Sequence, residues 1–274
     1  MDGKINLGLV RLTPILASLL FGVFCAFLIW ASSIETYAVT PFPEGVGSVG
    51  NAFYFVILVG LGASMLYLLL RKRNHKLINL IIGFALTTAV FLLSVIYLSA
   101  AFSLFIVPHV ETLILTLSVF ITAIVDFIIF KTRSKFCDAV ILCLGGGLGA
   151  FLGFSIPTLS SFLILSFLAV YDAFAVYHGP VGKIAHSGLE QLRGLSFSFK
   201  DIQMGLGDLT FYSMLSGHML LYFGFFPCLA SLIGILVGCL LAFKMLEKRG
   251  MFPGLPFPIL FGLTAGFLVS LIGF

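Results

Sequence analysis

Nine runs of about twenty apolar residues, parted by short charged or Pro/Gly-rich breaks, leave this chain only one solvent to fold in. Twenty helical residues at 1.5 Å each cross the ~30 Å hydrocarbon core of a bilayer, and a helix satisfies its own backbone polar groups there. The runs are Leu9 to Ala31, Ala52 to Leu70, Leu77 to Ala100, Val110 to Phe130, Cys137 to Ile156, Thr158 to His178, Gln203 to Gly224, Phe226 to Leu246 and Leu255 to Phe274. Pro108, His109 and Glu111 supply the break between the third and fourth, whose combined length is too great for one helix. The run Leu12 to Trp30 follows Lys4 and Arg11 as a secretory signal would, but it exceeds the usual apolar core of about 7 to 15 residues and is read as the first span. With 60% of its 274 residues hydrophobic and 9% charged, the chain leaves no room for a soluble domain of ordinary size. The expected fold class is an all-α membrane protein of nine transmembrane helices, and any chemistry must sit inside or at the edge of the bilayer.

The 15 cations set the topology. Lys4 and Arg11 precede the first span. Arg71, Lys72, Arg73 and Lys76 follow the second, Lys131, Arg133 and Lys135 the fourth, Lys183, Arg193 and Lys200 the sixth, and Lys244, Lys248 and Arg249 close the eighth. With nine spans all of them fall on one face, while the opposite connections hold Glu35, Glu44 and Glu111. The positive-inside rule then places the N-terminus in the cytoplasm and the C-terminus outside. One span more or fewer would scatter the cations across both faces.

Cys25, Cys137, Cys143, Cys228 and Cys239 lie in or beside apolar runs without metal-site spacing, and are read as small packing residues. No cofactor and no metal is expected. An ionisable group within a span is costly, so the acids are sorted singly. Asp2, Glu190, Asp201 and Glu247 lie in cytoplasmic segments. Asp138 sits at a helix start, where it complements the macrodipole. Asp126 lies near Lys131, which is expected to neutralise it in a structural role. Asp172 and Asp208 remain. Each is placed about six residues, or ~9 Å, from the inner end of its span, on two consecutive antiparallel helices that contain no Lys or Arg. Two carboxyls brought within a few ångströms cannot both ionise and hold one proton between them, the arrangement of an aspartic protease.

Around these acids the sixth span reads Tyr171-Asp172, the seventh opens Gly205-Leu206-Gly207-Asp208, and the ninth begins Pro253-Gly254-Leu255-Pro256. A YD pair, a GLGD run and a P-x-L-P element, in that order on spans six, seven and nine, resemble the presenilin and signal peptide peptidase family of intramembrane aspartyl proteases. The inferred orientation resembles the presenilin branch, in a prokaryotic-type homologue. The detailed resemblance covers Ala169 to about Ser213 and the proline element, where Gly254 replaces the family's usual alanine, a departure of one methyl. Prepilin peptidases also carry a G-x-G-D aspartate, but with a basic residue soon after it; Leu209 to Leu215 here is apolar or hydroxylic.

The resemblance implies an intramembrane endopeptidase with Asp172 and Asp208 as catalytic dyad and Tyr171, Gly205, Leu206, Gly207, Pro253, Gly254, Leu255 and Pro256 as substrate-binding or supporting residues. Its substrates would be transmembrane helical proteins, peptides or signal peptides. Cleavage requires local unwinding of the substrate helix, and unwound backbone in lipid needs cover from protein or water. A hydrated cavity among spans six, seven and nine is therefore expected, with Gly205 and Gly207 letting backbones approach Asp208 and an extended segment near Leu255 accepting the substrate as an added strand. Residues 1–157 form an N-terminal scaffold and 158–274 a catalytic part, with a cytoplasmic connection over 179–202. The mixture of Lys183, His186, Glu190 and Arg193 with Val181, Ile184, Leu189 and Leu192 suits an interfacial amphipathic helix; a solvated connection is the other reading. The corresponding presenilin loop is longer and is cut in maturation, so the chain here is expected to remain uncleaved.

Gly145, Gly149 and Gly153 favour close helix packing. His178 is read as an inner-interface residue, and His218, ~15 Å beyond Asp208 along its helix, as a satisfied polar group. Tyr171 either orients a carboxyl or packs as an aromatic. The rival from another class is a proton- or cation-coupled transporter or channel using the same two aspartates, but matching Gly/Pro breaks in two inverted halves are not found. A catalytically silent scaffold is disfavoured by the presence of both aspartates. Membrane lipids are expected partners, nucleic acid is not, and association into a homo-oligomer stays open. The expected location is integral and multi-pass, in the plasma membrane if the source is prokaryotic.

Overall fold

The structure is a computed structural model that describes residues 2–32, 39–72, 75–105, 108–132, 135–178, 194–199, 202–249 and 252–272. Among the described residues each of the nine apolar runs coincides with one helix: α1 (Asp2–Ala31), α2 (Gly47–Arg71), α3 (His75–Phe102), α4 (Val110–Lys131), α5 (Lys135–Ser155), α6 (Thr158–Tyr177), α7 (Leu206–Phe223), α8 (Phe225–Arg249) and α9 (Pro256–Ile272). Seven are long and apolar enough to cross a membrane by length and composition; α7, with 18 residues, and α9, with 17, complete the set. Arg11 on α1 is ion-paired with Glu247 near the end of α8, which puts the start of span one and the end of span eight on one face, as the cation pattern requires.

A span rich in polar residues lies deepest. α7 carries Thr210, Ser213, Ser216 and His218, all buried, and it is held between α1, α5 and α8, whereas α2 and α4 are mostly exposed to what would be lipid. The glycine repeat makes this possible. A methyl added at Gly149 would stand 2.3 Å from the Thr210 carbonyl oxygen and 2.7 Å from the Met214 nitrogen; at Gly153 it would meet the Met214 oxygen at 2.9 Å, and at Gly145 the Leu209 Cβ at 2.8 Å. The stripe is therefore the seat of α7 on α5. Gly146, on the next face of α5, admits the Ser18 carbonyl of α1 in the same way. Polar side chains inside the bundle find partners across it: Ser18 donates to the Leu142 carbonyl at 2.8 Å, and Asn51 bonds the Phe42 backbone and Ser160.

Three expectations change. Gln203 does not open the seventh helix: β1 (Ser196–Phe199) and β2 (Ile202–Gly205) form an antiparallel hairpin, with Ser196 opposite Gly205, and α7 starts only at Leu206. The alternation Ser196-Phe197-Ser198-Phe199 has the period of a strand, and Phe197 is buried. The described end of the 179–202 connection is thus a turn and hairpin; Lys183, His186, Glu190 and Arg193, on which the expected amphipathic helix rests, lie outside the described residues. Asp126 is not matched by Lys131. It accepts a 2.8 Å bond from the Thr87 hydroxyl of α3, while the Lys131 ammonium stands 5.6 Å from the centroid of the Phe127 ring. A helical residue leans toward the N-terminal turn, which brings Asp126 to its neighbour helix and lets Lys131 reach the interface. All five cysteines are free thiols; Cys25, Cys228 and Cys239 are buried, but Cys143 is exposed on the outside of α5.

Candidate active site

Asp172 lies in the last two turns of α6, and Asp208 in the first turn of α7 rather than six residues into it. The hairpin occupies the stretch that the longer helix would have filled. The Leu206 amide donates to the Leu195 carbonyl at 2.8 Å, fixing the start of α7 against the turn that precedes β1. Both aspartates are half-buried, and the Asp172 carboxyl stands close enough to Asp208 for the two to interact electrostatically.

The proline element joins them. Pro253 and Pro256 keep the chain out of helix until α9 begins, so the amides of this stretch are not spent on a helical ladder. The Leu255 N–H donates to Asp172 Oδ2 at 3.0 Å. One residue earlier, a methyl on Gly254 would sit 2.9 Å from Asp208 Oδ2 and 3.2 Å from its Cγ. The Gly254 backbone also reaches the Asp172 carboxyl, so this single turn meets both acids. Replacing the family's alanine by glycine is more than a neutral loss of a methyl: it leaves the Asp208 carboxyl lying directly against the backbone. Leu255 is buried, and its N–H, spoken for by Asp172, is not free to pair with an added strand.

Tyr212 carries no motif that singles it out in the sequence, yet it completes the site. Four residues after Asp208, it occupies the same face of α7. Its ring is 1% exposed and its hydroxyl donates to the Gly254 carbonyl at 2.8 Å. The i,i+4 spacing is the one sequence signal that points to it. Tyr171 instead turns to α2, where its hydroxyl would lie 3.3 Å from a methyl on Gly60. Gly205 and Gly207 face open space: beyond their immediate chain neighbours, an added methyl would come no nearer than 3.9 Å and 4.0 Å to any described atom, so neither admits a close backbone within this chain. His218 is fully buried and satisfied, with Nδ1 2.7 Å from the Gly153 carbonyl and Nε2 3.2 Å from the Thr158 hydroxyl. The Glu44 carboxylate accepts the Leu159 amide at the start of α6.

Fold and site define a polytopic helical membrane protein with two carboxyls gathered around a proline-bounded turn. The family model described as signal-peptide peptidase, presenilin aspartyl protease matches residues 17–185, and the chain belongs to that family of membrane-embedded aspartyl proteases, which are hydrolases. The matched stretch includes Asp172 and stops short of Asp208 and the proline element. Two solved structures, each described as a presenilin family intramembrane aspartate protease, share the fold. One is 20% identical, with a TM-score of 0.69 over 97% of this chain and 99% of that one. The other is 23% identical, with a TM-score of 0.65 over 95% and 97%. No curated protein matches the chain.

Proposed function

We propose that the chain hydrolyses peptide bonds within transmembrane segments of membrane proteins or signal peptides, with Asp172 and Asp208 as a general acid/base pair. The observation that carries this reading is that one turn, Gly254 and Leu255, lies against both carboxyls: both backbones reach Asp172, and Gly254 also lies beside Asp208. No cation of α6 or α7 competes for either carboxylate, so the pair can share one proton.

The chemistry follows from that proton. The ionised carboxyl takes a proton from a water whose oxygen attacks the scissile carbonyl carbon. The protonated one donates to the carbonyl oxygen and stabilises the tetrahedral intermediate. Collapse breaks the C–N bond, the leaving nitrogen takes a proton from the dyad, and the pair again holds one proton. The roles belong to the pair rather than to either residue. Tyr212 and the proline element position the carboxyls, and the open space at Gly205 and Gly207 leaves room for an unwound substrate backbone. Val170 and Phe174, exposed on α6 one turn apart, offer it an apolar flank. Residues 158–274 form the catalytic part on the scaffold of 1–157, with the N-terminus cytoplasmic, in the plasma membrane if the source is prokaryotic.

The test is purified protein in lipid vesicles with a single-span peptide. Internal cleavage, mapped by mass spectrometry and blocked by an aspartyl-protease transition-state analogue, is expected. Proton or cation flux through the same vesicles without any cleavage would establish the transporter instead.

A further inference from the structure

α8 carries none of the motifs, yet it packs directly behind the site. A methyl on Gly238 would stand 2.5 Å from the Pro258 Cα and 2.6 Å from its nitrogen, and one on Gly234 would meet the Phe261 carbonyl oxygen. The backbone of α8 therefore touches the first turns of α9, just after the turn that meets Asp172 and Asp208. Cys239, one residue on and ~100° round the helix, faces α7 instead. Its thiol is buried and hydrogen-bonded to the hydroxyl of Tyr212, itself buried. Asp208, one turn before Tyr212, lies within electrostatic reach of the same thiol.

We propose that Cys239 is a positioning residue of the dyad, an inference that rests on the reading of Asp172 and Asp208 as the catalytic pair. Its thiol donates to the Tyr212 oxygen and so holds the Tyr212 proton on the Gly254 carbonyl. The direction of the first bond follows from the single phenolic proton. That proton goes to the Gly254 carbonyl, 2.8 Å away. Toward Cys239 the phenol oxygen can then only accept, and the S–H is the donor.

A phenolic O–H keeps to the ring plane, where it has two opposed positions. A donor on one side of the oxygen leaves the proton the other, so the thiol of α8 fixes a rotor on α7. The chain from the Cys239 thiol through the Tyr212 hydroxyl to the Gly254 carbonyl crosses three separate segments, and each bond in such a chain polarises the next. Its last member is the residue whose backbone reaches Asp172 and whose Cα faces Asp208. Loosening the Gly254 carbonyl therefore loosens the placement of both acids, although Cys239 itself touches no reacting atom.

The test is a double-mutant cycle on the purified full chain in vesicles, read as cleavage of a single-span peptide, with an infrared readout of the thiol beside it. Cys239→Ala should lower kcat about three- to fivefold with KM unchanged, the scale of one net hydrogen bond. In a Tyr212→Phe background, where no oxygen is left to accept, the same change should alter kcat by less than about twofold. A residue that only fills space would cost the same in both backgrounds. The infrared S–H stretch that Cys239→Ala removes should move to higher frequency in Tyr212→Phe; should Cys239→Ala fail to fold, the wild type and Tyr212→Phe alone show whether one S–H band moves. Equal loss in both backgrounds, full activity of a folded Cys239→Ala, or S–H bands unmoved by Tyr212→Phe in a wild type that cleaves would overturn the proposal. A folded wild type that cleaves no peptide while its S–H band still answers to Tyr212→Phe would overturn the protease reading, and the positioning role with it, but not the bond.

Discussion

Gly149 is the position where a single methyl should separate fold from catalysis. The added carbon of Gly149→Ala would meet the Thr210 carbonyl oxygen at 2.3 Å, the Ser213 Cβ at 2.5 Å and the Met214 nitrogen at 2.7 Å. Two of these are backbone atoms of α7 and cannot rotate aside. Restoring ordinary contact requires α5 and α7 to part by about 1 Å, at an overpacking cost of ~1–3 kcal/mol. Asp208 rides in the first turn of α7, so the shift is carried to its carboxyl, while Asp172 on α6 and the proline element before α9 keep their places. A misplacement of ~1 Å can cost about 10²-fold in rate. The assay is cleavage of a single-span peptide by purified variants in vesicles, with thermal unfolding measured in parallel. Gly149→Ala should lose about 10²-fold in kcat with KM little changed. Gly147→Ala is the control on the same helix, because its methyl meets nothing closer than 3.6 Å; it should keep its activity and gain up to ~1 kcal/mol from helix propensity. A Gly149→Ala protein that is folded and cleaves within about threefold of wild type would refute the claim that the glycine stripe sets the position of Asp208.

Tyr212→Phe removes the hydroxyl that holds the Gly254 carbonyl; at ~1 kcal/mol or more for a buried bond, kcat should fall by about five- to tenfold with helix content unchanged, and an unaltered kcat would count against positioning. Asp126→Asn keeps an acceptor for the Thr87 hydroxyl and should leave cleavage unchanged; a large loss would give Asp126 a part in catalysis. Cleavage against pH should trace a bell: acid removes the ionised base, and alkali removes the shared proton. A rate rising or falling steadily from about pH 4 to about pH 9 would contradict a pair that shares one proton.

Much of this is legible in the sequence because bilayer physics is restrictive. Runs of bilayer length separate the helices, and the side on which Lys and Arg fall agrees with the Arg11–Glu247 contact between spans one and eight. The Gly145, Gly149 and Gly153 repeat is legible as packing, though its partner is not, since a stripe of small residues says that a helix approaches without saying which. The hairpin is hidden by apolar content: Ile202 to Gly205 reads equally as the end of a strand or the start of a span. Asp126 goes to Thr87 because tertiary reach outweighs spacing along one helix. Gly254 and Leu255 could be placed near the aspartates only through the resemblance, and their contact with both carboxyls depends on how α6, α7 and α9 converge, which no local pattern encodes.

The most direct measurement of the central claim is the single-turnover cleavage rate of Asp172→Asn and Asp208→Asn, each purified, folded and reconstituted beside the wild type. Asparagine keeps the size of the side chain and can neither take nor share the proton. Both variants should fall by at least about 10³-fold, and the double variant should be no worse than either alone, because the two residues act as one unit. Wild-type cleavage by either single variant would contradict the assignment of Asp172 and Asp208 as the catalytic pair.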